Sequence, residues 1–128
     1  MTEKQKELLL RDLCGRLPYG VMCKDTNINI IGTLSQIGLH YDMCVLDKDN
    51  GESESCYIPN CKPYLFPLSS MTEEQKKEYA HILVMSSNLA YSQLLGMTVE
   101  DWLNKNHFDY RGLIPIGLAN DASKLNIY

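Results

Sequence analysis

The tripeptide Asp49-Asn50-Gly51 constrains this chain most, because it stands inside a block of short β-forming segments. Asn-Gly accepts the positive φ angles that a tight hairpin turn demands. Val21–Lys24, Ile28–Ile37, Tyr41–Leu46 and Ser53–Ile58 are rich in β-formers, and Asp25-Thr26-Asn27, Gly38 and the Asn-Gly turn separate them. Short segments with turn residues between them predict an antiparallel meander. Gly32, inside the longest segment, predicts a bulge or bend, so the sheet is expected to be curved, even a partial barrel. Both faces of Tyr41–Leu46 are apolar beyond Asp42, which places that strand inside the sheet.

Helical signals flank the block. Thr2-Glu3-Lys4-Gln5 has the form of a capping box, and Leu9, Leu10, Leu13 and Leu17 follow near helical spacing, with Gly15 as the expected stop. Pro59, Pro63 and Pro67 argue against a long central strand, so Lys62–Pro67 is expected as an extended edge. A second box at Thr72/Gln75 opens a helix predicted to run from Glu73 to about Leu95, with Gly96 as terminator. Tyr79, Ile82, Leu83, Leu89, Ala90 and Leu94 trace its apolar face. Thr98–Asp101 starts a third, short helix, and Asp109 is placed to cap a further turn before Pro115. The expectation is an α+β fold in a single domain, residues 1–128: an N-terminal helix, a small curved antiparallel sheet or partial barrel, and a helical C-terminal half.

Composition narrows the function. The chain has 128 residues, 45% hydrophobic and 22% charged, in the range of an ordinary globular domain. Its longest apolar runs, Leu8–Leu10 and Ile82–Met85, fall far short of the roughly 18 residues of a membrane span. The opening MTEKQKE lacks the apolar stretch of a secretory signal, so a cytoplasmic location is expected. A net charge of −4 weighs against sequence-independent nucleic-acid binding, which needs lysines and arginines on phosphates. Five cysteines at 14, 23, 44, 56 and 61 include no Cys-x-x-Cys. Cys56 and Cys61 resemble half of a zinc site, but no second pair or nearby histidine completes it in sequence. Reduced, unmetallated thiols are therefore expected, with no cofactor.

The densest group of large amphipathic side chains lies in Thr98–Ile114. Trp102, His107, Asp109, Tyr110 and Arg111 are the candidate binding residues: histidine and tyrosine can exchange protons, and arginine can hold an anion. The same residues also suit a structural corner, with Asp109 capping a turn, Trp102 and Phe108 buried, and Arg111 paired with an acid. Neighbouring residues of a helix diverge, so Tyr110 and Arg111 are not expected to share a ligand. Ser69-Ser70 is better explained by capping than by anion binding, since no glycine-rich loop precedes it. Tyr57, Tyr64 and Phe66 offer a stacking platform for single strands but lack interleaved cations. Asp47-x-Asp49-x-Gly51 is only a fragment of a calcium loop.

Lys62–Thr72 (KPYLFPLSSMT) and Asp101–Ile114 (DWLNKNHFDYRGLI) resemble a group of small uncharacterised proteins carried by phages and other mobile elements of gut anaerobes. With Leu8–Gly20 the resemblance covers about half of the chain, and Pro115 departs from it. It implies a genomic context and carries no activity or site residue. Together these features lead first to a non-enzymatic cytosolic interaction protein, an accessory or inhibitor acting on a host macromolecule, most simply a protein. A small-ligand or nucleotide-binding protein comes second, with Arg111 and the helix starts at Thr72 and Thr98 taking the anion. Single-stranded nucleic-acid binding comes third. Pairing of exposed aromatics across a two-fold axis would make a homo-oligomer.

Overall fold

The computed structural model describes residues 1–38, 40–88 and 96–128. Helix α1 (Glu3–Arg16) begins at the predicted box: Thr2 Oγ1 accepts the Gln5 amide at 3.1 Å, and Gln5 Oε1 accepts the Thr2 amide at 3.0 Å. It runs through Gly15 and stops later, where Pro18 opens a 3-10 turn at Leu17–Tyr19 and Gly20 adopts φ +68°. Gly15 is needed for packing instead, since a Cβ there would lie 3.1 Å from Asn104 Nδ2.

Strands β1 (Met22–Asp25), β2 (Ile30–Gly38), β3 (Met43–Asp47), β4 (Ser53–Tyr57) and β5 (Cys61–Pro67) pair antiparallel in the order β4-β3-β2-β1-β5. Strand β3 lies inside the sheet, as its two-sided apolar pattern predicts. The β3–β4 hairpin turns where Asn50-Gly51 stands, with Gly51 at φ +85° and its amide donating to Lys48 O at 3.1 Å. Asn50 is not left-handed, so Gly51 alone supplies the positive φ. The bulge falls at Ser35, between Leu34 and Gln36, and not at Gly32. Gly32 marks a close approach of adjacent strands: a Cβ there would sit 2.8 Å from Asp47 O.

Two findings correct the expected sheet. First, β5 is no edge. It pairs with β1 through Pro63, then in parallel with β7 (Asn120–Asp121) at Tyr64–Leu65 and with β6 (Phe108–Asp109) at Phe66–Pro67. Both prolines stand where a ladder ends, so their missing N–H groups interrupt nothing. Second, these parallel additions make the sheet mixed, and it is not closed into a barrel.

The C-terminal half is helical only in part. Helix α2 (Glu73–Ser86) has its predicted box at Thr72/Gln75 but ends at Ser86. There the Ser86 and Ser87 hydroxyls donate to Leu83 O and Val84 O at 3.1 and 2.6 Å, turning serines toward local backbone partners. The expected continuation through Leu89, Ala90 and Leu94 lies outside the described residues. Tyr79 and Ile82 pack inward as predicted, whereas Leu83 is 43% exposed. Helix α3 (Val99–Lys105) starts at the third box, Thr98/Asp101. Beyond it come turns and β6 and β7, because Gly112 and Gly117 take φ +73° and +79°.

The buried side chains form two clusters. Leu9 and Leu13 of α1 cover Val21, Cys23, Leu34, Cys44, Leu46, Cys56, Cys61 and Leu65 of the sheet. Trp102, Leu103 and Phe108 form the second, with Phe66, Met71, Tyr79 and Ile82 against them. No helix among the described residues is long and apolar enough to cross a membrane.

Candidate functional site

The candidate residues of α3 and β6 surround a charged pair that sequence inspection did not single out. Asp12 and Arg16 lie one turn apart on α1 and are fully buried, with Arg16 Nε donating to Asp12 Oδ2 at 2.7 Å. Arg16 Nη2 donates to Phe108 O at 2.7 Å, so the guanidinium ties α1 to β6. Burying a guanidinium is costly unless its charge is paired, and here Asp12 pairs it.

Arg111 approaches the same carboxylate from the other side, its Nη1 being 3.6 Å from Asp12 Oδ1. That nitrogen also donates to Tyr110 Oη at 3.0 Å, and Tyr110 Oη donates to Asn104 Oδ1 at 3.0 Å. The guanidinium carbons of Arg16 and Arg111 lie 5.3 and 4.7 Å from the Tyr110 ring centroid. Tyr110 and Arg111 therefore do converge, contrary to the helical expectation, because the chain at 110–112 is not a helix. They converge on each other and on Asp12. Burial raises the Tyr110 phenol above its ordinary range, against the lowering effect of both arginines.

Asp109 is buried and caps the following turn, accepting the Leu113 and Ile114 amides at 2.9 Å each. Trp102 is 4% exposed, and its ring stacks on Phe108 at 5.7 Å and meets Tyr79 at 5.6 Å. His107 adopts φ +62° and stacks on Tyr128 at 3.8 Å. Burial, reinforced by the Arg16 charge, pushes its imidazole down to about 4. Tyr128 Oη accepts the Met22 amide at 2.9 Å and donates to Tyr64 O at 2.8 Å, so the tail is fastened to β1 and β5.

The five candidates thus divide among an aromatic cluster, a backbone cap, a stacked pair and an ion-pair corner. They do not line one open cleft. A nearby cleft of about 210 Å³ is lined by Phe66, Ser70, Thr72, Gln75, Phe108 and Ser123. Thr72 and Gln75 are engaged in their capping box, and the Ser70 hydroxyl donates to Pro67 O at 2.7 Å. The helix starts proposed for an anion are similarly occupied, since Thr98 Oγ1 accepts the Asp101 amide at 3.1 Å. The stacking platform is also missing: Tyr64 is 5% exposed, and Phe66 packs against Phe108 and Tyr128.

The described residues with the chemistry to hold a metal ion lie elsewhere. Cys44, Cys56 and Cys61 are buried with their Sγ atoms all within 4.8 Å of one another. Cys44 faces Cys56 across the hairpin, at positions equidistant from Asn50. That pairing was open to inspection once the turn was located, whereas the approach of β5 was not. No protein-family model matches this chain, and neither does a curated protein or a solved structure.

Proposed function

We propose that this protein is a non-enzymatic interaction protein of the cytosol that binds a partner protein through the β4 side of its sheet. The observation that carries this reading is the exposure of Tyr41, 81%, beside the edge strand β4, whose Tyr57 is 42% exposed. Tyr57 pairs in register with Met43, two residues after Tyr41. Amphipathic aromatics of this kind are enriched at protein interfaces. A cleft of about 120 Å³ adjoins them, lined by Lys6, Leu10, Asp42, Ile58 and Pro59 among others. Among the described residues no strand pairs with the outer side of β4, so that edge can take a strand from a partner by main-chain hydrogen bonding, with the tyrosines supplying selectivity. The resemblance to mobile-element proteins read from the Lys62–Thr72 and Asp101–Ile114 stretches adds a protein of the host cell as the partner in this reading.

This reading puts recognition away from Trp102, His107, Asp109, Tyr110 and Arg111, whose side chains are engaged with other parts of the same chain. Crosslinking of the tagged chain in its native cell, followed by identification of the attached protein, tests the proposal. One protein should be recovered with the wild type and with Arg111→Ala, and lost with the double variant Tyr41→Ser/Tyr57→Ser. Recovery that ignores the tyrosine changes would remove the surface. A nucleotide that raises the melting temperature, with no protein attached, would replace the function with small-ligand binding.

A further inference from the structure

Four of the five cysteines meet in the interior, although they come from four different strands. Cys23 is on β1, Cys44 on β3, Cys56 on β4 and Cys61 on β5, and each is at most 1% exposed. Strand order alone would keep them apart, since β2 and β1 separate β3 from β5. Curvature brings them together, and its tightness is visible at Gly32, where a Cβ would lie 2.8 Å from the Asp47 carbonyl oxygen. The Cys61 thiol is central, in contact with those of Cys23, Cys44 and Cys56.

We propose that Cys44, Cys56 and Cys61, with Cys23 as fourth ligand, form a closed tetrahedral site for one zinc ion inside the sheet. A Zn–S bond of about 2.3 Å sets neighbouring sulfurs about 3.8 Å apart in a tetrahedron. The three mutually close sulfurs already lie within 4.8 Å of one another. A contraction of about 1 Å or less, within reach of small χ1 adjustments, therefore completes three bonds. Cys23 lies outside this close set and adjoins it through Cys61, which makes it the nearest further thiol for the fourth position.

Each thiol that becomes a ligand releases one proton to solvent, so affinity rises with pH. The site is sealed, and the ion enters as the chain folds.

The full chain, reduced and refolded with one equivalent of Co²⁺ as a spectroscopic probe for zinc, tests the proposal. Thiolate-to-cobalt charge-transfer absorption and tetrahedral visible bands are expected at one ion per chain, abolished by added Zn²⁺. Cys14→Ser, which changes the exposed cysteine, should leave the spectrum unchanged. Cys56→Ser should lose it. Should that variant fail to fold, the apolar pair Cys44→Val/Cys56→Val should fold and show no charge-transfer band. Folded wild type without the band, or a band that survives the valine pair, overturns the proposal. Its outcome is independent of the tyrosine surface, which lies outside the sheet interior.

Discussion

Arg16 Nε lies 2.7 Å from Asp12 Oδ2 with both side chains fully buried, and the same guanidinium reaches Phe108 O across 92 residues of sequence. One ion pair on the first helix thus anchors the segment that carries most of the aromatic side chains of the second cluster. Removing one partner leaves an uncompensated charge, so Asp12→Ala should destabilise by about 3–5 kcal/mol in urea unfolding. The apolar double variant Asp12→Leu/Arg16→Met should recover most of that loss. A single variant as stable as the wild type would show that the pair is not sealed from water.

Trp102 and Phe108 are expected to behave as core. Replacing either by alanine should cost about 3–5 kcal/mol. Arg111→Ala should cost less, about 1.5–3 kcal/mol, because it removes one charged hydrogen bond and a partly exposed side chain. Denaturant midpoints of the three variants check the order. If Arg111→Ala proves as damaging as Trp102→Ala, Arg111 shares the anchoring with Arg16.

His107 supplies a pH dependence with a definite sign. Its ordinary value of 6.5 falls to about 4 in the folded protein, so the unfolded chain binds the proton first as the solution is acidified. Stability is therefore unaffected by this group above pH 6.5 and declines as pH falls from 6.5 toward 4. His107→Asn, which tolerates the left-handed backbone, should flatten that part of the stability profile. Equal slopes for variant and wild type would show that the imidazole is not held neutral.

At Gly32 the close approach of the neighbouring strand β3 leaves no room for a side chain. Gly32→Ala places a Cβ 2.8 Å from Asp47 O, against backbone that cannot swing aside. A loss of about 1–3 kcal/mol is expected, the usual cost of overpacking. Thermal unfolding measures it, and a neutral outcome would mean the two strands separate easily.

The tyrosines of the β4 side should be thermodynamically silent in the free protein. Tyr41→Ser is expected to change stability by less than about 0.5 kcal/mol, as for other surface positions without a structural role. A larger loss by denaturant unfolding would show that Tyr41 packs within its own chain instead of awaiting a partner.

Local chemistry made several features legible in the sequence itself. Thr2, Thr72 and Thr98 start helices because a hydroxyl, the amide three residues on and an answering side chain are all close neighbours in the chain. Gly51 turns the β3–β4 hairpin, and the turn alone determines that Cys44 faces Cys56. Contacts between distant segments were decided only by tertiary structure. Pro63 and Pro67 look like edge signals until β6 and β7 arrive from far downstream to pair with β5. The spacing of Asp12 and Arg16 is ordinary for a helix surface, and only docking against Phe108 and Tyr110 turns that face inward. Cys61 meets Cys44 and Cys56 because the sheet curls, a property set by twist, Gly32 and the covering helix together. Hydrogen bonds within a few residues can be read from the letters, whereas burial belongs to the surface that another part of the chain comes to cover.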